Sequence, residues 1–237
     1  MKLLLVGCEY SGTTTLALAI DDWAQKELGT GFRLIHDHFK LPDTQYRHQP
    51  NETLPHGSEL TEEEIRNWQA LSPRMLEVIQ RHNLYYHSPR ESSSKGGNQM
   101  MIGLHIDDAV YGPLYYNYGH PGVAGDRTVI SKHIELNFMK FAPDTVMVHV
   151  KASPDVIRRR MNEAPHKYPV VQEKDVEHVL HRFDEEVFNS LLTRIQLDTS
   201  TNTVQGVVEE FAEKIQAHLS LEDRMAMHTH RNDSKGV

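Results

Sequence analysis

The chain opens on a continuous apolar run, Lys2 to Val6 (KLLLV), closed by Gly7, which predicts a strand buried on both faces. Apolar residues then recur at Leu16, Ala19, Ile20 and Trp23, a helical spacing that predicts a helix over 13–28. A second strand is expected at Phe32 to Ile35, leading into His36-Asp37-His38. Residues 41–63 carry Pro42, Pro50, Pro55 and Gly57 among polar residues and read as an irregular excursion. Thr61 followed by Glu64 reads as a capping box that opens a helix running to about His82. Residues 88–98 (SPRESSSKGGN) have the composition of a flexible loop, and the run MMIGLHI after them predicts a third strand ending in Asp107-Asp108. The stretch from Ala109 to Gly125 has no readable period. Beyond it the pattern predicts a helix over 129–141, a strand over 145–150 (TVMVHV), and a helix from Ser153 through Arg158-Arg159-Arg160. A helix over 173–192, a last strand over 194–197 and an amphipathic helix over 203–219 complete the order, and residues 221–237 read as a frayed tail. Strands alternating with helices imply an α/β fold, a three-layer doubly wound parallel sheet, in one domain over 1–220.

Composition narrows the functions this fold could carry. The chain has 237 residues, a formal net charge of −8 and a mean hydropathy of −0.55, ordinary for a soluble domain with much polar surface. That charge argues against a broad nucleic-acid groove, which needs clustered Lys and Arg. No apolar run is long enough to span a membrane and no secretory signal opens the chain, so the expected place is the cytoplasm. Cys8 is the only cysteine, which leaves neither an internal disulfide nor a cysteine pair for zinc, and it reads as an inert small residue. The 16 histidines are scattered without a metal-ligand spacing. The expected partner is a small anion in a local basic pocket.

The chemistry concentrates between the first strand and the first helix. There the segment Gly7-Cys8-Glu9-Tyr10-Ser11-Gly12-Thr13-Thr14 has the G-x-x-x-x-G spacing of a phosphate-binding loop. Such a turn lets backbone N–H groups and a helix dipole converge on a phosphate, with Thr14 or Thr15 hydroxyls available to Mg²⁺. The lysine that normally follows the second glycine is absent, and Thr13 stands in its place. A basic residue from elsewhere, a chemistry other than ATP phosphoryl transfer, or a loop that binds without catalysing would each account for that.

Over residues 1 to about 219 the layout resembles the P-loop nucleoside and nucleotide kinases, thymidylate kinase-like members especially. Asp37, in IHDHFK, stands where those enzymes keep an acid at the end of the second strand, which implies that it orients or deprotonates the acceptor. Their third strand commonly ends in an acid followed by Arg. Here the candidates are Asp107-Asp108 and, in Gly125-Asp126-Arg127-Thr128-Val129-Ile130-Ser131, Arg127; the choice stays open. PDTVMVHVKASPDVIRRRM resembles the fourth strand and arginine-bearing lid helix, with Arg160 the best match and Arg158 next, while Arg182 matches a phosphate-binding arginine beyond the lid. Leu197-Asp198-Thr199-Ser200 resembles the adenine-side loop. The resemblance thus implies ATP and Mg²⁺ as cofactors, phosphates held by residues 9 to 14 and 15, Thr14 and Asp107 as metal-side groups, and a homodimer.

Ser11-Gly12-Thr13-Thr14-Thr15-Leu16 also resembles the nucleotide loop of sulfotransferases, in which Thr naturally replaces the lysine. That reading implies 3′-phosphoadenosine 5′-phosphosulfate (PAPS) as donor, Lys132 and Lys151 as its binding residues, and His36 or His38 as base. Tyr10, where a basic residue is expected, and Lys151 in place of an arginine depart from it. A non-catalytic nucleotide-binding module is the third reading.

Overall fold

The computed structural model describes residues 1–36, 60–91 and 97–233. Among these residues five strands form one sheet in the order β2-β3-β1-β4-β5, every neighbouring pair parallel: β1 Lys2–Val6, β2 Arg33–His36, β3 Gln99–Ile102, β4 Thr145–Lys151 and β5 Thr193–Asp198. The period of two divides the two cores. Leu4, Val6 and Met147 point to one face, and Leu3, Leu5, Val146, Val148 and Val150 to the other.

On the first face lie α3 (Pro73–His87), α4 (Leu104–Tyr115), α5 (Arg127–Phe141), α6 (Pro154–Glu163) and α7 (Val176–Asn189), which contribute Leu84, Val110, Phe138, Ile157 and Phe183 to the core; α2 (Glu62–Gln69) precedes them in the chain. On the second lie α1 (Thr13–Leu28), α8 (Val204–Ile215) and α9 (Leu221–Asp233), through Ile20, Phe211 and Met227. The expected three-layer, doubly wound α/β architecture is therefore present.

Three expectations need correction. The helix opened by the Thr61–Glu64 capping box forms, but it ends at Gln69, because Ser72 caps a new helix with Pro73 at its first position. The third strand stops at Ile102 rather than at Asp107-Asp108. Gly103 (φ 85°) and Leu104 (φ 53°) turn the backbone into the left-handed region, so both aspartates lie in α4. Finally, the expected frayed tail is a helix over Leu221–Asp233. Ser220 and Asp223 cap each other reciprocally, with Ser220 Oγ accepting from the Asp223 N–H at 3.1 Å and Asp223 Oδ2 accepting from the Ser220 N–H at 3.1 Å, and Met227 packs into the second core.

Candidate functional site

The loop between β1 and α1 lies at the carboxyl end of the sheet, where β1 sits between β3 and β4 and the chain's crossovers part to opposite faces, the place where doubly wound sheets bind ligands. Gly7 is required there by space: a Cβ on it would lie 2.3 Å from Val150 O and 2.7 Å from Ser11 Oγ. Gly12 has φ 93° and delivers the chain into α1, so the N–H groups of that helix's first turn point out of the loop without intrahelical partners. Tyr10 also adopts a left-handed conformation, φ 69°, which is costly for a residue with a side chain and persists where neighbours over-determine it.

Those neighbours come from the segment after α6. The Tyr10 ring stacks on His166 with centroids 4.1 Å apart, and the Tyr10 hydroxyl accepts from the His166 N–H at 3.0 Å. Beside it, Glu9 accepts from His166 Nδ1 at 2.6 Å and from the consecutive N–H groups of Val170 and Val171 at 2.7 and 2.9 Å. The tip of the same segment reaches across to α2, where Lys167 pairs with Glu62 and the Tyr168 hydroxyl donates to Glu62 at 2.7 Å.

Arg160, on α6, takes the other side of the loop. Its guanidinium donates to Tyr10 O at 2.9 Å, Thr199 Oγ1 at 3.0 Å and Thr199 O at 2.8 Å, and it lies 3.8 Å from where a Gly12 Cβ would be. Thr199 Oγ1 in turn donates to Ser11 O at 2.7 Å, so the loop after β5 is tied to the phosphate-type loop. Between these parts lies a cavity of about 390 Å³, walled by the first turn of α1 (Thr13, Thr14, Thr15), Arg160, His166 and Asn202.

The loop's donors are partly spent within the protein. The Glu9 N–H donates to the Tyr111 hydroxyl at 2.8 Å and the Ser11 N–H to Cys8 O at 2.9 Å. Of the N–H groups from 9 to 14 expected to face a phosphate, those of Glu9 and Ser11 are therefore engaged within the protein. Cys8 is buried, and burial together with the Glu9 and Asp107 carboxylates pushes its thiol far above the usual range, in keeping with an inert cysteine.

The remaining sequence-predicted residues divide clearly. Asp107 stands in the first turn of α4, near enough to the loop that its charge adds to burial and Glu9 in raising the Cys8 thiol. Asp108 and Arg127 are buried and form a close ion pair with each other. Arg127 also donates to Glu77 Oε1 at 3.1 Å and Gly125 O at 2.9 Å, and the Tyr118 hydroxyl donates to Asp108 at 2.6 Å. They brace α3, α4 and α5 and do not line the cavity. Arg158 pairs with Glu177, and Arg182 with Glu185 and Glu186 of its own helix, so neither reaches the cavity. Lys132 is exposed on α5 and Lys151 is held by Asp184 at 2.7 Å. Asp37 and His38 lie outside the described residues, as does the excursion up to residue 59.

Sequence reasoning missed Glu9's hold on His166, Val170 and Val171. A polar loop with two prolines, Pro165 and Pro169, carries no signal for what its backbone N–H groups will meet. Thr199 was readable within Leu197-Asp198-Thr199-Ser200, although not its bond to Ser11.

A scan against models of protein families finds no match, and a search of curated proteins finds no relative. Solved structures do match. The YorR protein of Bacillus subtilis, in complex with phosphorylated GDP, superposes with a TM-score of 0.54 at 16% identity, covering 93% of this chain and 99% of that one. Deoxyadenosine kinase from M. mycoides with bound dATP gives 0.56 at 12% identity, covering 91% of this chain and 100% of that chain. The same kinase with the products dCMP and dCDP gives 0.52 at 14%, covering 92% and 100%. At such identities the likeness is one of fold, and this chain shares with those proteins a parallel α/β architecture over nearly its whole length.

Proposed function

We propose that the protein is a nucleotide-binding phosphotransferase that moves a phosphoryl group from ATP to a nucleoside, nucleotide or similar small hydroxyl acceptor. The observation that carries this reading is the cavity at the Gly12 end of the loop, where the first turn of α1 meets Arg160 and the loop after β5. An anion there would face helix-terminal N–H groups, and a guanidinium beside them would supply the positive charge that Thr13 does not. Fold likeness to a deoxyadenosine kinase supports the same class.

In this reading Arg160 is the catalytic cation and His166 a neighbour of the phosphates. Asp37 remains the proposed group that orients or deprotonates the acceptor. Arg158 and Arg182 would first have to leave their carboxylate partners. Magnesium ion, carried in on the nucleotide, would neutralise phosphate charge during transfer. Thr14, exposed in the first turn of α1, and Asp107, close to the loop, have the hard oxygen donors suited to holding it directly or through water.

The sulfotransferase reading loses its two donor-binding lysines, since Lys151 is paired with Asp184 and neither Lys151 nor Lys132 lines the cavity. The deciding measurement is the thermal midpoint of the protein with ATP and Mg²⁺ against adenosine 3′,5′-bisphosphate, because a ligand that binds only the native state raises it. A rise with ATP·Mg alone upholds the proposal. A rise with the bisphosphate alone replaces it by sulfuryl transfer, and no rise with either removes nucleotide binding at this loop.

A further inference from the structure

Two consecutive backbone N–H groups that converge on one oxygen form a small anion-binding concavity, a geometry that recurs at phosphate sites. Val170 and Val171 present that geometry on the segment between α6 and α7, and His166 Nδ1 adds a third polar group facing the same anion. The anion in place is the Glu9 carboxylate, with its two oxygens shared between the His166 ring and the paired N–H groups. Glu9 itself sits two residues after Gly7, within the phosphate-type loop, and its side chain is only 10% exposed. His166 belongs to both neighbourhoods, since it also walls the cavity lined by Thr13, Thr14 and Arg160.

A carboxylate inside a phosphate loop is electrostatically adverse to a bound nucleotide, because like charges a few ångströms apart in a partly desolvated site repel. The Glu9 contact therefore does two things at once: it fastens the segment over the loop, and it fills donors that suit a phosphate. We infer that His166 Nδ1 and the N–H groups of Val170 and Val171 form an oxyanion site for a phosphate group, which Glu9 occupies as a stand-in and yields when phosphate binds. The identity of the phosphate as part of a nucleotide rests on the proposed function above; the oxyanion site itself does not.

The site makes Glu9 an internal competitor, so removing its charge should strengthen phosphate binding, whereas a purely structural latch would weaken binding when cut. The test compares inorganic phosphate and ATP·Mg on the wild-type protein, Glu9→Ala and Glu9→Gln. Affinities are measured by calorimetry, and the ¹⁵N–¹H resonances of Val170 and Val171 are followed during the phosphate titration. Glu9→Gln keeps the shape of the side chain and carries the test should the alanine variant not fold. Phosphate affinity is expected to rise about tenfold in Glu9→Ala and about threefold in Glu9→Gln, with the Val170 and Val171 amides shifting in the variants at phosphate concentrations that leave them unmoved in the wild type. Unchanged or weaker phosphate binding in the folded variants, or stronger binding that leaves both amides unmoved, overturns the inference. Failure of the wild-type protein and both variants to bind ATP·Mg would sink the proposed function alone, because the inorganic phosphate comparison still decides the oxyanion site.

Discussion

Arg127 separates a bracing role from a substrate-binding one. Replacing it by Met keeps the length of the stem and removes the guanidinium that pairs with Asp108 and with Glu77 at 3.1 Å. Glu77 retains Arg81 at 2.9 Å and Arg74 at 3.2 Å, so most of the cost falls on Asp108, which keeps the Tyr118 hydroxyl but loses its buried cation. Removing one member of a buried pair costs about 3 to 5 kcal/mol, and for a chain of this length each kcal/mol lowers the midpoint by about 2 to 4 °C, so Arg127→Met should melt about 10 °C early. The cost should also depend on pH. Burial raises the Asp108 carboxyl above its ordinary value even in the native protein, against the pull of Arg127 and Tyr118, and without Arg127 it rises further. A carboxyl whose folded value is raised contributes stability below its unfolded value and loses it as pH climbs through the folded one. The deficit of Arg127→Met should thus be larger at pH 8 than at pH 5, and Asp108→Asn in the same chain should recover part of it. Urea unfolding at the two pH values measures both effects. A variant within about 1 kcal/mol of the wild type at both would refute the bracing role, since a buried pair cannot be broken so cheaply, and would return Arg127 to the substrate.

Three further outcomes follow from the same structure. His149 is buried and its imidazole is pushed down to about 4, first by burial and then by Lys151, against the pull of Asp184. Its unfolded counterpart takes up a proton near the ordinary value, so wild-type stability should fall by about 2 to 3 kcal/mol as pH drops from 6.5 to 4.5, and His149→Gln should flatten that slope in urea unfolding. Cys8 should resist iodoacetamide at pH 8 in the native protein and react only on unfolding, as mass spectrometry would show; ready native alkylation would contradict the burial of the loop. Gly7→Ala must displace Val150 O or Ser11 Oγ, so it should abolish the thermal shift with ATP·Mg and cost a few kcal/mol, whereas an unaltered ligand response would show that the loop is not the site.

The centre of the sheet was legible because its inner strands are buried on both faces, and a continuous apolar run has few other uses. KLLLV and TVMVHVK are such runs, and both form central strands at nearly the expected bounds. MMIGLHI is equally apolar, yet only its first part is strand, because the buried first turn of α4 draws on the same residue types and the turn at Gly103 leaves hydropathy unchanged. That single ambiguity placed Asp107 and Asp108 at a strand end, one shared position. The helix divides them, one toward the loop and one toward Arg127, which no spacing argument on an extended chain could show. The tail's high mean polarity hides its helix, whose start is marked only by the short Ser220 to Asp223 capping signal.

The loop's electrostatics follow from what has been substituted around it. With Thr13 in the lysine position and Glu9 inside the loop, the segment itself brings a negative charge and no cation. Two of its N–H groups are engaged, at Glu9 by Tyr111 and at Ser11 by Cys8. In the proposed function, attraction for a phosphate would then come from the first turn of α1 and from groups outside the loop, of which Arg160 is already fastened to Tyr10 O and Thr199. Those bonds are to neutral oxygens, in contrast to those of Arg158 and Arg182, whose charges are met by bonded carboxylates. Under the proposed function, the arginine that would stand in for the lysine is picked out less by its position in the Arg158-Arg159-Arg160 triplet than by what it is bonded to: a cation anchored by neutral acceptors is preorganised for an anion without first having to abandon one.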